Sequence, residues 1–221
     1  MAIDGPAGAG KSTLARALAE RLGLPYVNTG LMYRAVASGA LDRGVAPDDE
    51  EALAGVARSL SFALSPSRPP DLLIDGTPPE ARLSGPEVES IVSVVARHPA
   101  VRTVLRSVQR ELGLGGSVME GRDIGTVVFP DADVKIFLSG AAPVRAGRRV
   151  LERGGGQEVA RAVGRRDSLD ARTNPLVPAP DAHVIDTTSL DPGQVLAEAL
   201  RLVGERQSRA FEPADPPRGP R

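Results

Sequence analysis

An α/β fold around a parallel sheet is what this chain predicts, on three observations. Short apolar stretches alternate with segments of helical periodicity, and a glycine-rich loop sits between the first such stretch and the first helix. A Pro- and Gly-punctuated region between residues 60 and 115 then breaks the alternation. With 41% hydrophobic and 25% charged residues over 221 positions, the chain can bury one sizeable core that carries small excursions.

Residues 1–4 read as the end of a strand. Residues 11–22 read as a helix with Leu14, Ala15, Leu18 and Leu22 on its apolar face and Gly23 as its stop. A second short strand, 26–28, precedes a helix over 31–43 closed by Gly44, and Pro47-Asp48 opens the next helix. The alternating pieces 61–64 and 72–75, set among turns, predict a small antiparallel insert rather than a βα unit. Two helices follow it, 87–97 and 99–112, with Pro99 at a first position that tolerates its missing N–H.

Apolar strands at 117–120, 134–138 and 183–186 bring the parallel sheet to five members. The stretch 145–172 is helix-prone, broken by Gly154-Gly155-Gly156 and dense in Arg, which predicts an anion-facing lid. The last helix is expected over 192–205. Residues 207–221 are expected to be a disordered tail, since 211–221 hold four prolines and little apolar content. The layout is thus a core of 1–59 and 116–206 with a lid at about 145–172, plus an insert of 60–115. No internal repeat is found.

A net charge of −1 provides no global field to recruit nucleic acid or a membrane, so any anion site must be a local basic cluster and the partners small molecules. The absence of Cys excludes disulfides and thiolate chemistry, and two His make a His-based metal site a poor expectation. With no leader pattern and no apolar run of membrane-spanning length, a cytoplasmic monomer is expected. All 27 basic residues are Arg except Lys11 and Lys135. In so Arg-biased a chain a lysine marks a place where a compact ammonium is required. That reading applies to Lys11; Lys135 is expected to be a strand residue facing solvent.

Gly5-Pro6-Ala7-Gly8-Ala9-Gly10-Lys11-Ser12 meets the spacing G-x-x-x-x-G-K-[ST] in full, with a strand before it and a helix after. Such a loop turns backbone N–H groups onto a phosphate and adds the positive end of the following helix. It predicts the P-loop NTPase fold, with residues 5–12 and Thr13 holding ATP, Lys11 bridging its β- and γ-phosphates and Ser12 ligating Mg²⁺. The plain alternative is a Gly-rich turn capped by Ser12.

The acceptor stays open at this point, because GTPases, motors and small-molecule kinases share the loop. An Asn-Lys-x-Asp base reader is absent. Arg34, Arg122, Arg166 and Arg172 fall in loops or at element ends, where a clamp on two phosphates would form. A UMP- or shikimate-type kinase, or a non-catalytic nucleotide-dependent regulator, is compatible with these features.

The run Glu120-Gly121-Arg122-Asp123-Ile124-Gly125-Thr126-Val127-Val128-Phe129-Pro130 resembles the bacterial cytidylate kinase family. So, in the same order, do Asn28-Thr29-Gly30 with Tyr33-Arg34, Ser93-Val94-Val95-Ala96 with Arg102, Arg166-Asp167 with Asp170, and Pro175-Leu176 before Asp181-Ala182. The likeness spans the chain to about residue 204. It implies a nucleoside-monophosphate-binding insert and phosphorylation of CMP or dCMP by ATP with Mg²⁺. Ser93, Arg102 and Asp123 would read the cytosine edge. Arg34, Arg122 and Arg172 would hold the acceptor phosphate, with Thr29 and Tyr33 beside the nucleotide, and Arg166 and Asp170 would contact its ribose and phosphate region. Tyr33 and Ser93 could instead be ordinary helix-interface residues, and Asp123 could merely pair with neighbouring arginines. His98 and His183 are read as structural. The resemblance also implies a longer apolar strand before Ile3-Asp4-Gly5-Pro6 than Met1-Ala2 supply, so a start called late or a trimmed chain is expected.

Overall fold

The computed structural model describes residues 1–153, 156, 164 and 176–210. Its first strand, β1 (Ala2–Asp4), is buried at every position and lies at the centre of a five-stranded sheet. The other members are β2 (Tyr26–Asn28), β5 (Val118–Gly121), β6 (Lys135–Ser139) and β7 (His183–Asp186), in the order β2-β5-β1-β6-β7. All four pairings are parallel. Asp4 stands opposite Gly121 and Phe137, and Asn28 opposite Glu120, so the carboxyl ends of β1, β2 and β5 come level. In an open parallel sheet that edge is where ligands bind.

Helix α1 (Lys11–Leu22) follows the glycine loop and ends at Gly23, whose left-handed φ of 65° lets its N–H reach the Ala19 carbonyl. Leu14 and Leu18 of α1 share one apolar cluster with Val195, Ala199 and Val203 of the last helix, α7 (Pro192–Ala210). A second cluster lies elsewhere in the molecule. It joins α2 (Thr29–Asp42) and α3 (Glu50–Ser59) to the insert through Met32, Val36, Leu53, Leu72, Val92, Val101 and Leu105. The insert contains an antiparallel pair, β3 (Phe62–Leu64) with β4 (Leu72–Ile74), and the helices α4 (Pro86–Val95) and α5 (Pro99–Gly113). Helix α6 (Ala142–Arg153) follows β6.

Several boundaries differ from the sequence expectation for identifiable reasons. Helix α2 starts at Thr29 because Asn28 caps it, its side-chain oxygen accepting from the Leu31 N–H at 3.3 Å. Asp49 caps α3 in the same way, accepting from Ala52 N–H at 3.0 Å. Helix α7 runs to Ala210, five residues past Glu205; its closing turns carry the Arg201–Glu205 pair and a bond from the Ser208 hydroxyl to the Gly204 carbonyl at 3.0 Å. The rest of the expected tail, 211–221, lies outside the described residues. Among the described residues no helix is long and apolar enough to cross a membrane.

Lys135 does not face solvent. Its side chain is only 6% exposed, because β6 is an interior strand flanked by β1 and β7, and its alkyl stem lies against Gly125. The ammonium emerges to donate to the Pro130 carbonyl and to both Asp181 oxygens, at 2.8 and 2.7 Å. That contact holds the Asp181 carboxyl below its ordinary range.

Candidate active site

After β1 the backbone enters a left-handed path, with φ of 147° at Gly5 and 73° at Gly8. Only glycine fits either position. A Cβ at Gly5 would run into the Leu138 carbonyl, and one at Gly8 would lie 2.5 Å from the Arg145 carbonyl. The loop is also gripped by side chains. Lys11 Nζ donates to the Pro6 carbonyl at 2.8 Å, Arg145 Nη1 to that of Ala7 at 2.8 Å, and Arg122 Nη1 to that of Gly5 at 2.5 Å. Gly10 begins α1 without any side-chain cap, so the first amides of the helix and its positive dipole end face the loop.

Beside this cradle is a cavity of about 260 Å³. Ala7, Lys11 and Ser12 line it from the loop, Thr29, Tyr33 and Arg34 from α2, Ser93 from α4, Arg102 from α5, and Arg122 and Asp123 from the turn after β5. These are residues that the sequence singled out from five separated segments. Gly5 and Pro6 form the entry to the loop; Gly8, Ala9, Gly10 and Thr13 line a second cavity on its other side. Arg166, Asp170 and Arg172 lie outside the described residues, as does most of the expected lid.

The cavity walls are held by ion pairs. Arg102 and Arg106 both donate to Asp123 Oδ2 at 2.8 Å, so the pairing with neighbouring arginines is present and Asp123 still lines the cavity. Arg34 donates to the Leu83 carbonyl at 2.9 Å and to Glu89 at 2.5 Å. Thr29 Oγ1 donates to the Glu120 carbonyl at 2.7 Å, and the Tyr26 hydroxyl to the Glu120 carboxylate at 2.5 Å. Burial pushes the Tyr33 hydroxyl above its ordinary range.

Asp4, at the end of β1, accepts from the Ile124 and Gly125 amides at 2.9 and 2.7 Å. Burial raises its carboxyl above the usual range, and those two amides pull it back. The segment it holds, Ile124–Val128, is wound in a wider-than-α turn, with the Val128 N–H reaching the Asp123 carbonyl and the Phe129 N–H that of Ile124.

The second cavity, about 320 Å³, is walled by Arg148 and Leu151 of α6 and by Thr187, Leu190 and Pro192. Arg148 donates to the Thr187 hydroxyl at 2.9 Å and to its carbonyl at 2.5 Å, and the Thr187 hydroxyl bonds to the Ala9 carbonyl at 3.3 Å. Leu14, Leu151, Leu190 and Val195 make its lining largely apolar.

Sequence reasoning missed Asp4, Glu89, Arg106 and Arg149. Arg106 could have been found from its spacing, four residues after Arg102 on one helix face. Arg149, which lines the first cavity, lies on the helix after β6. His98 and His183 line neither cavity; His98 bonds to the Pro47 carbonyl at 2.8 Å and His183 to Glu198 at 3.1 Å.

A phosphate loop on the central parallel strand, opening into an arginine-walled cavity at the carboxyl edge of the sheet, defines a P-loop phosphotransferase of the nucleoside monophosphate kinase type. The chain belongs to the cytidylate kinase family, whose model matches residues 1–205. It is 45% identical to the cytidylate kinase of Desulfitobacterium hafniense (strain Y51), over 96% of this chain and 95% of that protein. The cytidylate kinases of Roseiflexus castenholzii and Geobacillus kaustophilus (strain HTA426) are each 45% identical as well, over 92% and 93% of this chain and 93% and 96% of their own lengths.

Proposed function

We propose that the chain transfers the γ-phosphoryl group of ATP to CMP or dCMP, giving ADP and CDP or dCDP, and that the cytoplasm is where it acts. The observation that carries this reading is the single cavity that holds Lys11 and Ser12 together with Tyr33, Arg34, Ser93, Arg102, Arg122 and Asp123. The glycine loop takes the donor phosphates, and the second cavity, beyond Gly10 and Thr13, takes the donor base. The insert, 60–115, supplies Ser93 and Arg102 to the acceptor side.

Chemistry at this site is positioning and charge. A phosphate oxygen of CMP forms a bond to the γ-phosphorus as the bridging oxygen leaves with its electrons on ADP. The attacking oxygen is already ionised at neutral pH, so no general base is required. Lys11 and Arg122, with Arg166 and Arg172 as further members of the clamp, stabilise charge on the transferring group. Arg34 holds the acceptor phosphate. Asp123 accepts from the cytosine amino group and Arg102 donates to the acceptor atoms of its ring, a pattern that uracil reverses at two positions, the exocyclic group and the ring nitrogen beside it.

The Ser12 hydroxyl, which lines the first cavity beside Lys11, would hold Mg²⁺. Among the described residues no group of three or more carboxylates and histidines could cage a cation, so the ion would come with the donor nucleotide. When bound, it neutralises charge on the donor phosphates.

The test is ADP release in a coupled assay over CMP, dCMP, UMP, AMP, GMP and shikimate. Strong stimulation by CMP and dCMP is expected. Stimulation by UMP or shikimate in their place would overturn the acceptor, and tight ATP binding without acceptor-dependent release would identify a regulator.

A further inference from the structure

The donor loop and the base-facing turn are stitched together at the sheet edge, and Asp4 makes the stitch. Both of its oxygens are committed, Oδ1 to the Ile124 amide and Oδ2 to the Gly125 amide, 120 and 121 residues along the chain but just past the neighbouring strand in space. These are the first two amides after Asp123. A return contact runs the other way, from Arg122 Nη1 to the carbonyl of Gly5, the residue after Asp4. Residues 4 and 5 therefore fix residues 122, 124 and 125, and Asp123 sits inside that frame.

Asp4 is only 7% exposed and lines neither of the two cavities. Burying an acid is unfavourable unless its oxygens are satisfied, and here backbone amides satisfy them. An asparagine side chain has one acceptor oxygen and would turn an NH₂ donor toward one of the two N–H groups. Among the described residues, Asp123 and Lys11 are charged groups acting on Asp4, and the stem of Lys135 lies on the far side of Gly125.

We infer that Asp4 is a positioning residue for base selection: its carboxylate sets the turn that aims Asp123 at the acceptor base. The inference rests on the reading that Asp123 faces that base. When Asp4 is lost, the Asp123–Arg102–Arg106 cluster keeps its charges and loses its register against the cavity. Selection of the base suffers first, while the donor loop, held by its own glycines and by Arg145, keeps its grip on ATP.

The experiment is a double-mutant cycle on the full chain with Asp4→Asn, Asp4→Ala, Asp123→Asn and the combined Asp4→Asn/Asp123→Asn, reading kcat and KM for CMP, UMP and ATP. Asp4→Asn, which keeps the volume, is expected to lower the CMP-over-UMP ratio of kcat/KM about tenfold, mainly through KM for CMP, with KM for ATP changed by less than about twofold. Asp4→Ala should do the same or more. The combined variant should be no less selective than Asp123→Asn alone, since Asp4 acts through that residue. Additive losses, or equal rises in KM for CMP and ATP, would overturn the inference while leaving Asp123 as the base reader. An unchanged ratio in Asp123→Asn would instead overturn the base reading itself, and this inference with it.

Discussion

The two halves of the proposed site are built by different means. The donor half is a backbone structure, residues 5–13, contiguous in sequence and shaped by φ angles that only glycine adopts where Leu138 and Arg145 press in. The acceptor half is a side-chain structure, gathered from α2, α4, α5 and the turn after β5, and held by ion pairs such as Arg34–Glu89 and Arg102–Asp123. A backbone cradle binds whatever carries phosphates. Side chains brought from several elements can be exchanged one at a time, and the proposed choice of acceptor is assigned to them.

Lys11→Ala should give the largest effect, because it removes the one charged side chain within residues 5–13. A fall in kcat of roughly a thousandfold is expected, with KM for CMP little altered. Single-turnover measurement of the phosphoryl-transfer step checks it, and an unchanged rate would break the division between the halves. Gly8→Ala probes the backbone. Its Cβ would lie 2.5 Å from the Arg145 carbonyl at a φ of 73°, which costs about 1–3 kcal/mol and lowers Tm by roughly 2–12 °C. KM for ATP should rise more than KM for CMP. The reverse order would mean that the loop shapes the acceptor half as well.

This division also governs how much could be read from the sequence. The loop was legible because its chemistry is local: eight consecutive residues carry the spacing, and the flanking strand and helix are visible beside them. The five strands and most helices were legible from apolar periodicity. Tyr33, Arg34, Ser93, Arg102, Arg122 and Asp123 could be singled out by resemblance to a family, yet their shared cavity depends on the parallel register of β1, β2 and β5, which no local pattern states. Asp4 and Glu89 escaped for the same reason. Each acts on a partner far along the chain, Asp4 on residue 124 and Glu89 on Arg34. Helix ends moved by a residue or more wherever a cap such as Asn28 or Asp49 outweighed a nearby Gly or Pro.

Lys135 offers the smallest and cleanest contrast with Lys11, since the two are the chain's sole lysines. Its ammonium ties the end of the Glu120–Pro130 run to Asp181, away from both cavities. Lys135→Met keeps the buried stem and removes the charge, so kcat/KM for CMP should change by less than about threefold while Tm at neutral pH falls by a few degrees. The sign with pH follows from the lowered Asp181 carboxyl. A depressed carboxyl stabilises the fold above its ordinary range, and that stabilisation disappears as pH falls through the depressed value. The Tm gap between wild type and Lys135→Met should therefore be full at pH 7 and shrink below about pH 4. Thermal melts across pH 3 to 8 decide it. A gap that persists at low pH would assign the contribution of Lys135 to its bond with the Pro130 carbonyl rather than to the ion pair.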